Sequence, residues 1–137
     1  MPGITGLGHV GIYADDIKKQ RDFYTRVIGL KVADEDLEGR GMCFLSADPE
    51  REHHEFVLMK GKEAPEGAKV IQQISFIVPS IDDLREHYHR LLDENVKIDR
   101  IVSHGNAFGM YFFDPEGNRI ELYVRPTLKA PQPLGPP

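Results

Sequence analysis

The chain has 137 residues, of which 40% are hydrophobic, and this length and composition suit one folded domain. Its formal net charge is −5 and its lysines and arginines are scattered, so a nucleic-acid partner is not expected. A single cysteine, Cys43, excludes an internal disulfide, and no long apolar stretch predicts export or membrane insertion. We expect a soluble, cytoplasmic protein.

The first half of the chain predicts a strand, a helix and three further strands. The strand spans about 6–14 and the helix about 16–28. Asp15 and Asp16 suit the start of the helix, and Gly29 suits the left-handed position that follows a helix. Residues 41–45, which include Cys43, have the character of a strand, where a free cysteine is usually a small buried hydrophobe.

The second half predicts the same order of elements. Ser80 and Asp83 form a capping signal, and the helix that follows has one apolar face made by Leu84, Tyr88, Leu91 and Leu92. Asn95 takes the place of Gly29 after the helix. Strands are predicted at about 97–103, 107–114 and 118–125, with a turn at 114–118.

The two halves also match in sequence. Residues 9–17 (HVGIYADDI) match 73–81 (QISFIVPSI), and the tripeptide Asp-Pro-Glu at 48–50 recurs at 114–116, with a two-residue insertion at 93–94. Ordered matches of this kind indicate a duplication. We predict an α+β fold of two tandem βαβββ modules that form a cupped mixed sheet around a central cavity. The modules are expected at about 5–60 and 69–125, within one domain at 1–125, followed by a proline-rich tail at 126–137.

The repeat pairs four residues with metal-binding capacity, His9 with Gln73 and Glu55 with Glu121. A sheet covered by one helix leaves a second face uncovered, so two such units can curve around a shared space into which these side chains converge. Imidazole, carboxylate and amide donors suit Fe(II), Mn(II), Ni(II), Co(II) or Zn(II) in a site with open positions. The alternative is that His9 is a hydrogen-bonded core histidine and both glutamates face water.

Three segments resemble the vicinal oxygen chelate superfamily, which includes glyoxalase I, bleomycin resistance proteins and extradiol dioxygenases. They are Gly8-His9-Val10, residues 23–30 (FYTRVIGL) and residues 113–123 (FDPEGNRIELY), and the resemblance spans residues 5–125. It implies a divalent metal with ligands among His9, Gln73, Glu121 and Glu55. It also implies a small-molecule substrate and a homodimer.

The extradiol dioxygenase branch is the interpretation that we favour, with Fe(II) or Mn(II) as the metal. In that branch Tyr111 resembles a phenol that contacts the substrate, and His54 resembles the acid–base histidine. His104 lies near a second family histidine. Gln73 departs from the pattern, because this branch has a histidine there.

Two other functions stay open on the same fold. In the glyoxalase I branch four ligands hold Ni(II), Co(II) or Zn(II), and His9, Glu55, Gln73 and Glu121 resemble that set. A third possibility is a drug-binding protein without catalysis, since fold alone does not fix function.

Two further expectations concern ring side chains. Adjacent strand residues point to opposite faces, so at most one of His53 and His54 would reach the cup. The register of Glu55 favours His53, whereas the family spacing favours His54. The aromatic residues expected in the core are Phe23, Tyr24, Phe44, Phe56 and Phe76.

Overall fold

The structure is a computed structural model that describes residues 2–103 and 108–125. The chain divides between Glu66 and Gly67 into two compact units, called unit 1 and unit 2 below. Each unit has a strand, a helix and three more strands, and each forms one four-stranded mixed sheet. The predicted α+β fold of two βαβββ modules is therefore confirmed. The predicted proline-rich tail lies outside the described residues.

Unit 1 begins with a strand, a helix and a π-helical extension of that helix. Its elements are β1 (Val10–Ala14), α1 (Ile17–Asp22), the π-helical segment (Phe23–Val27), β2 (Lys31–Asp36), β3 (Met42–Ser46) and β4 (Phe56–Lys60). The strand order is β1-β4-β3-β2, in which β1 and β4 are parallel and the other pairs are antiparallel. The side chain of Asp16 accepts a hydrogen bond from the Lys19 backbone, so the predicted N-cap at Asp16 is confirmed.

Unit 2 has the same topology. Its elements are β5 (Ile74–Ile77), α2 (Ile81–Asp93), β6 (Ile98–Ser103), β7 (Phe108–Phe113) and β8 (Arg119–Val124). The strand order is β5-β8-β7-β6, and only the β5–β8 pair is parallel. Ser80 caps α2 by accepting a hydrogen bond from the Asp83 backbone, as predicted. Among the described residues, no helix is long and apolar enough to span a bilayer.

The second strand of each unit has an irregularity at the same place. The register of β2 against β3 shifts between Val32 and Asp34, and the register of β6 against β7 shifts between Ile98 and Arg100. Such bulges bend a strand locally and re-aim the side chains beside it. Their recurrence supports a duplicated ancestor independently of the sequence matches.

The residues after the helices are also equivalent. Gly29 has a φ of 100° and Asn95 a φ of 58°, so both occupy the left-handed region that was predicted for them. The Asp-Pro-Glu turns match as well, because Asp48 and Asp114 each accept a hydrogen bond from the backbone of the residue two positions on. These positions set the path of the backbone in both units.

Two predicted details differ from the structure. The first strand begins at Val10 instead of about residue 6, because its parallel partner begins at Phe56, which pairs with Val10. Leu92 is 47% exposed, whereas Leu84 and Leu91 on the same predicted face are buried. The packed stripe of α2 is therefore narrower than the apolar pattern indicated.

The core of unit 1 lies between its helix and one face of its sheet. The Tyr24 ring, in the π-helical segment, is centred 4.8 Å from the Phe56 ring on β4. Phe56 pairs with Leu45, and both are almost fully buried. Because side chains alternate along strands, the residues at the intervening positions point to the opposite face of the sheet.

Candidate metal and substrate site

One row of directly paired residues crosses all four strands of the unit 2 sheet. Arg100 on β6 pairs with Tyr111 on β7, Tyr111 pairs with Glu121 on β8, and Glu121 pairs with Ser75 on β5. Paired residues of neighbouring strands project from the same face. The row, called the polar row below, therefore places a cation, a phenol, a carboxylate and a hydroxyl side by side.

Glu121 is a buried carboxylate held by neutral donors. Its exposed fraction is 7%. Its Oε1 accepts hydrogen bonds from Ser75 Oγ at 2.8 Å and from Gln73 Nε2 at 3.3 Å, and the Tyr111 phenol also donates to it. Among the described residues, no Lys, Arg or His forms an ion pair with it. Because a buried charge is costly without a counter-charge, the setting of Glu121 suits a bound cation.

Gly109 makes room for the other oxygen of this carboxylate. A Cβ built at Gly109 would lie 2.6 Å from Glu121 Oε2, closer than real Cβ contacts. The glycine lies on β7 two residues before Tyr111, so it is on the same face of the sheet. The Glu121 carboxylate thus occupies space that a side chain at position 109 would fill.

Tyr111 is held in its protonated form and lies beside two arginines. Burial raises the pKa of its phenol, and the hydrogen bond to Glu121 and the charge of that carboxylate raise the pKa further. The Arg119 guanidinium carbon is 4.4 Å from the centre of the Tyr111 ring, and that of Arg100 is 5.6 Å away. At neutral pH Tyr111 is therefore a hydrogen-bond donor under a positive field.

In unit 1 four ring side chains lie close together, those of His9, Phe44, His53 and His54. The rings of His9 and His54 are centred 4.2 Å apart, and the Phe44 ring is centred 4.9 Å from that of His54. His53 Nδ1 lies 2.8 Å from His54 Nδ1, so one ring donates and the other accepts. Desolvation lowers the pKa of His54, and the neighbouring charges of His9 and His53 lower it further. His54 is therefore neutral at neutral pH and able to accept a proton.

The structure corrects two expectations about these rings. Strand alternation does not separate His53 from His54, because both precede β4, which begins at Phe56. Both rings face Phe44, at 6.0 Å for His53 and 4.9 Å for His54. The expectation that Phe44 belongs to the core is wrong. It is half-buried and contacts the histidines. Phe76 is also half-buried, whereas Phe23, Tyr24 and Phe56 are buried as predicted.

Glu55 has a different environment from Glu121. It is exposed, and its Oε1 accepts hydrogen bonds from Ser46 Oγ at 3.1 Å and from the Ala47 backbone at 3.0 Å. These hydrogen bonds hold the first residues of the β3–β4 loop against the Glu55 carboxylate.

The strand registers also separate the two glutamates. In unit 1 the row that corresponds to the polar row consists of Asp34, Phe44, Val57 and Gly11. Both rows start at the residue directly after the bulge, so Val57 is the counterpart of Glu121. The sequence-based pairing of Glu55 with Glu121 is not reproduced. Loop 47–55 is longer than loop 114–118, and its extra residues follow the Asp-Pro-Glu turn that both loops share. An alignment based on that turn therefore loses the strand register after it.

The pairing of His9 with Gln73 is reproduced. His9 lies two residues before Gly11 and Gln73 two residues before Ser75, and Gly11 and Ser75 occupy the same place in the two rows. Of the predicted site residues, the structure thus brings Gln73, Tyr111 and Glu121 together in unit 2. It brings His9 and His54 together in unit 1, and His104 lies outside the described residues. Within the ranges 2–103 and 108–125, no group of three or more His, Cys, Asp or Glu could hold a metal ion.

The sequence-based prediction missed four residues of unit 2. They are Ser75, Gly109, Arg100 and Arg119. The missed signal was the two-residue period of a strand: Ser75 follows Gln73 by two, Gly109 precedes Tyr111 by two, and Arg119 precedes Glu121 by two. Arg100 had no such signal, since its place depends on the bulge in β6.

Cys43 is outside this chemistry. It is fully buried on β3, and burial together with the nearby Glu35 carboxylate raises the pKa of its thiol to about 12. The interpretation of Cys43 as a small core residue is confirmed for its burial.

Comparison with known proteins agrees with the fold and its repeat. Residues 6–122 match the family described as the Glyoxalase/Bleomycin resistance protein/Dioxygenase superfamily. The chain belongs to this superfamily. The resemblance seen in the sequence is thereby confirmed.

Two curated relatives of this superfamily member are dioxygenases by name. Biphenyl-2,3-diol 1,2-dioxygenase 2 of Rhodococcus globerulus is 28% identical over 122 residues, and biphenyl-2,3-diol 1,2-dioxygenase 3 of the same organism is 29% identical over 123 residues. The matches cover 86% of this chain but 62% of each relative. The chain therefore spans less than two thirds of the length of these relatives.

Solved structures share the fold. An integron cassette protein, HFX_CASS4, from the mobile metagenome of the Halifax Harbour sewage outfall has a TM-score of 0.69 at 25% identity, with 88% of this chain and 99% of that one covered. Lactoylglutathione lyase from Agrobacterium tumefaciens has a TM-score of 0.70 at 19% identity, with 90% and 96% covered. The fosfomycin resistance protein FosX from Listeria monocytogenes has a TM-score of 0.71 at 19% identity, with 91% and 97% covered. The last two likenesses show the fold alone.

Proposed function

We propose that this superfamily member is a divalent-metal-dependent, extradiol-type dioxygenase that acts on a small vicinal-diol aromatic. The observation that carries the proposal is Glu121, a buried carboxylate whose hydrogen-bond partners within the described part of the chain are all neutral. The names of the two curated relatives support the same reaction class.

The residues proposed to hold the metal are His9, Gln73 and Glu121. Imidazole, amide and carboxylate groups suit Fe(II) or Mn(II), the metals that the dioxygenase interpretation favours. When bound, such an ion would lower the pKa of a diol hydroxyl and orient the substrate. Gln73 already lies beside Glu121, and rotation of its amide would present the oxygen instead of Nε2.

The chain's own residues are suited to moving and holding the protons of a diol. His54 is neutral at neutral pH and would accept a proton from a substrate hydroxyl. Tyr111 remains protonated and would donate a hydrogen bond to oxygen that gains negative charge. His104 is proposed for a similar donor role. Because both atoms of O2 enter the ring-opened product, the reaction needs no further reductant.

The second candidate is a glyoxalase-type isomerase, favoured by the four N- or O-donor residues predicted from the repeat. It requires Glu55 as a ligand or as the base. The Glu55 carboxylate instead bonds Ser46 and Ala47, and Val57 stands at the position equivalent to Glu121. These two contacts and the register favour the dioxygenase, in which Glu55 has no metal role.

Metal content is the first test, and Glu55 provides a matched control for Glu121. We would reconstitute the protein and its Glu121→Gln and Glu55→Gln variants with Fe(II) or Mn(II), and measure bound metal by mass spectrometry. Each variant loses one carboxylate charge and keeps the side-chain shape. We expect stoichiometric metal in the native protein and in Glu55→Gln, and loss of metal in Glu121→Gln. Loss in both variants would favour the four-ligand isomerase with Ni(II), Co(II) or Zn(II).

Oxygen consumption then separates the reaction classes. We expect O2 uptake with catechol or biphenyl-2,3-diol that stops under anaerobic conditions, because a dioxygenase consumes O2 and an isomerase does not. If the protein binds no metal and consumes no O2 with either diol, the proposal is overturned. The drug-binding alternative would then be the preferred function. The homodimer and the cytoplasmic location stay predictions.

A further inference from the structure

We propose that Arg100 and Arg119 form a carboxylate-recognition site, so that the preferred substrate is an anionic vicinal diol such as a dihydroxybenzoate. The inference rests on the proposed function and names its substrate class. The curated relatives are named for biphenyl-2,3-diol, which has no carboxylate, so the inference separates this chain from them.

The first observation is that two guanidinium groups lie at one aromatic ring. Arg119 is 4.4 Å and Arg100 is 5.6 Å from the centre of the Tyr111 ring, measured from the guanidinium carbons. The ring of Tyr111 attracts both cations through its π face, which fixes their heads without using their N–H donors. Two positive groups are thereby held next to the phenol that donates to Glu121.

The second observation is that Arg119 has unused hydrogen-bonding capacity. Its Nε is buried and has no hydrogen-bond partner among the described residues. Its Nη2 lies 3.9 Å from Asp99 Oδ2, beyond the length of a hydrogen bond. A buried guanidinium donor without a partner is unfavourable, and arginine offers a planar fork that matches a carboxylate.

The charges that face the two arginines set the preference for an anion. Two acidic residues lie near them: Asp99, whose Oδ2 is 3.9 Å from Arg119 Nη2, and Glu121, two residues after Arg119 on β8. Glu121 is committed to Ser75, Gln73 and Tyr111 and, in the proposed function, to a divalent cation. The two arginines, that cation and these two carboxylates together sum to a positive charge, so a substrate carboxylate is the complementary group.

The test compares a dihydroxybenzoate with its methyl ester, which keeps the diol and lacks the negative charge. Binding of 3,4-dihydroxybenzoate and of its methyl ester to the isolated protein would be measured by calorimetry at low and high salt, and O2 uptake would be measured with both. Because the diol is common to both ligands, their ratio isolates the carboxylate. We expect the acid to bind about 10–100-fold more tightly than the ester, as for a charge-assisted hydrogen bond, with the ratio falling as salt rises.

Three variants locate the effect. In Arg119→Gln and in Arg100→Gln the acid-to-ester ratio should fall about tenfold. In Arg85→Gln, which removes the same charge from an exposed arginine on α2, the ratio should stay as in the native protein. Asp99→Asn should raise the ratio, because it removes a negative charge that lies 3.9 Å from the Arg119 guanidinium. Circular dichroism would verify that each variant is folded.

The outcomes separate this inference from the proposed function. Turnover of neutral diols with an acid-to-ester ratio near one would overturn the carboxylate site and leave the dioxygenase intact. Selective binding of the acid without O2 uptake would keep the carboxylate site and refute the dioxygenase. A ratio that falls equally in Arg85→Gln would show a general charge effect, and would overturn the site.

Discussion

The position of the Glu121 carboxylate can be tested by adding one methyl group. In Gly109→Ala the new Cβ would lie 2.6 Å from Glu121 Oε2, whereas an ordinary contact begins at 3.4 Å. The carboxylate oxygen must therefore move by about 0.8 Å, since it is the far end of a flexible side chain and the backbone is fixed by the sheet. Displacements of about 1 Å in a catalytic group cost up to about 100-fold in rate.

We expect Gly109→Ala to lower metal affinity, and the kcat/KM for the diol, by about 10–100-fold. Stability should not fall with them, because alanine suits a strand backbone better than glycine by about 0.5–1 kcal/mol. Gly109 does not have a positive φ, so alanine meets no backbone strain there. Metal titration, O2 uptake and thermal unfolding of the same preparation would measure the three quantities.

A matched control exists on the other sheet. In Gly11→Ala the new Cβ would contact Val57 Cβ at 3.6 Å, an ordinary distance, so metal affinity and rate should stay as in the native protein. Native metal affinity in Gly109→Ala would refute the assignment of Glu121 as a ligand in its observed position. Equal losses in both variants would indicate that the sheets tolerate no added methyl group.

Three further predictions follow from single contacts. Ser75→Ala removes the 2.8 Å hydrogen bond to Glu121. We expect metal affinity, measured by titration, to fall severalfold, and the unfolding temperature, measured by calorimetry, to change little. Unchanged metal affinity would contradict a supporting role for Ser75. His53→Gln removes one of the charges that lower the pKa of His54, so the pKa of His54 should rise. The acidic limb of the pH–rate profile should then move to higher pH. An unchanged His54 pKa in an NMR titration of the variant would contradict this reasoning. Cys43, whose thiol pKa is about 12, should react with iodoacetamide at pH 8 only after denaturation, and rapid labelling of the folded protein would contradict its burial.

The fold could be predicted because its signals are local and occur twice. The capping residues Asp16 and Ser80, and the left-handed positions Gly29 and Asn95, each have a backbone requirement that few residue types meet. Such requirements can be recognised without knowing the neighbours of a residue. The strand boundaries were less certain, because the start of β1 depends on where its partner β4 begins.

The site could be predicted only in part, because it depends on register. Glu121 and Gln73 were found from the repeat and the family resemblance, and they lie in contact. The role of Glu55 was not found, because a difference in loop length moved the sequence match away from the true strand alignment. A shift of this kind leaves every local signal intact, so only pairing between strands reveals it.

The two rows show how the duplicated units have diverged. Bulges, helix caps and left-handed residues are shared, and they fix the backbone on which each row stands. The rows themselves have almost nothing in common. In place of Val57, unit 2 has the buried carboxylate of Glu121. In place of Gly11, unit 2 has Ser75, whose hydroxyl donates a hydrogen bond to that carboxylate. Since an apolar Val57 neither binds a cation nor needs one, the metal ligand that we propose on a last strand, Glu121, has no counterpart in unit 1. Exchange of Val57 for glutamate would therefore add a charge without its supporting donors, and should destabilise unit 1 instead of creating a second ligand.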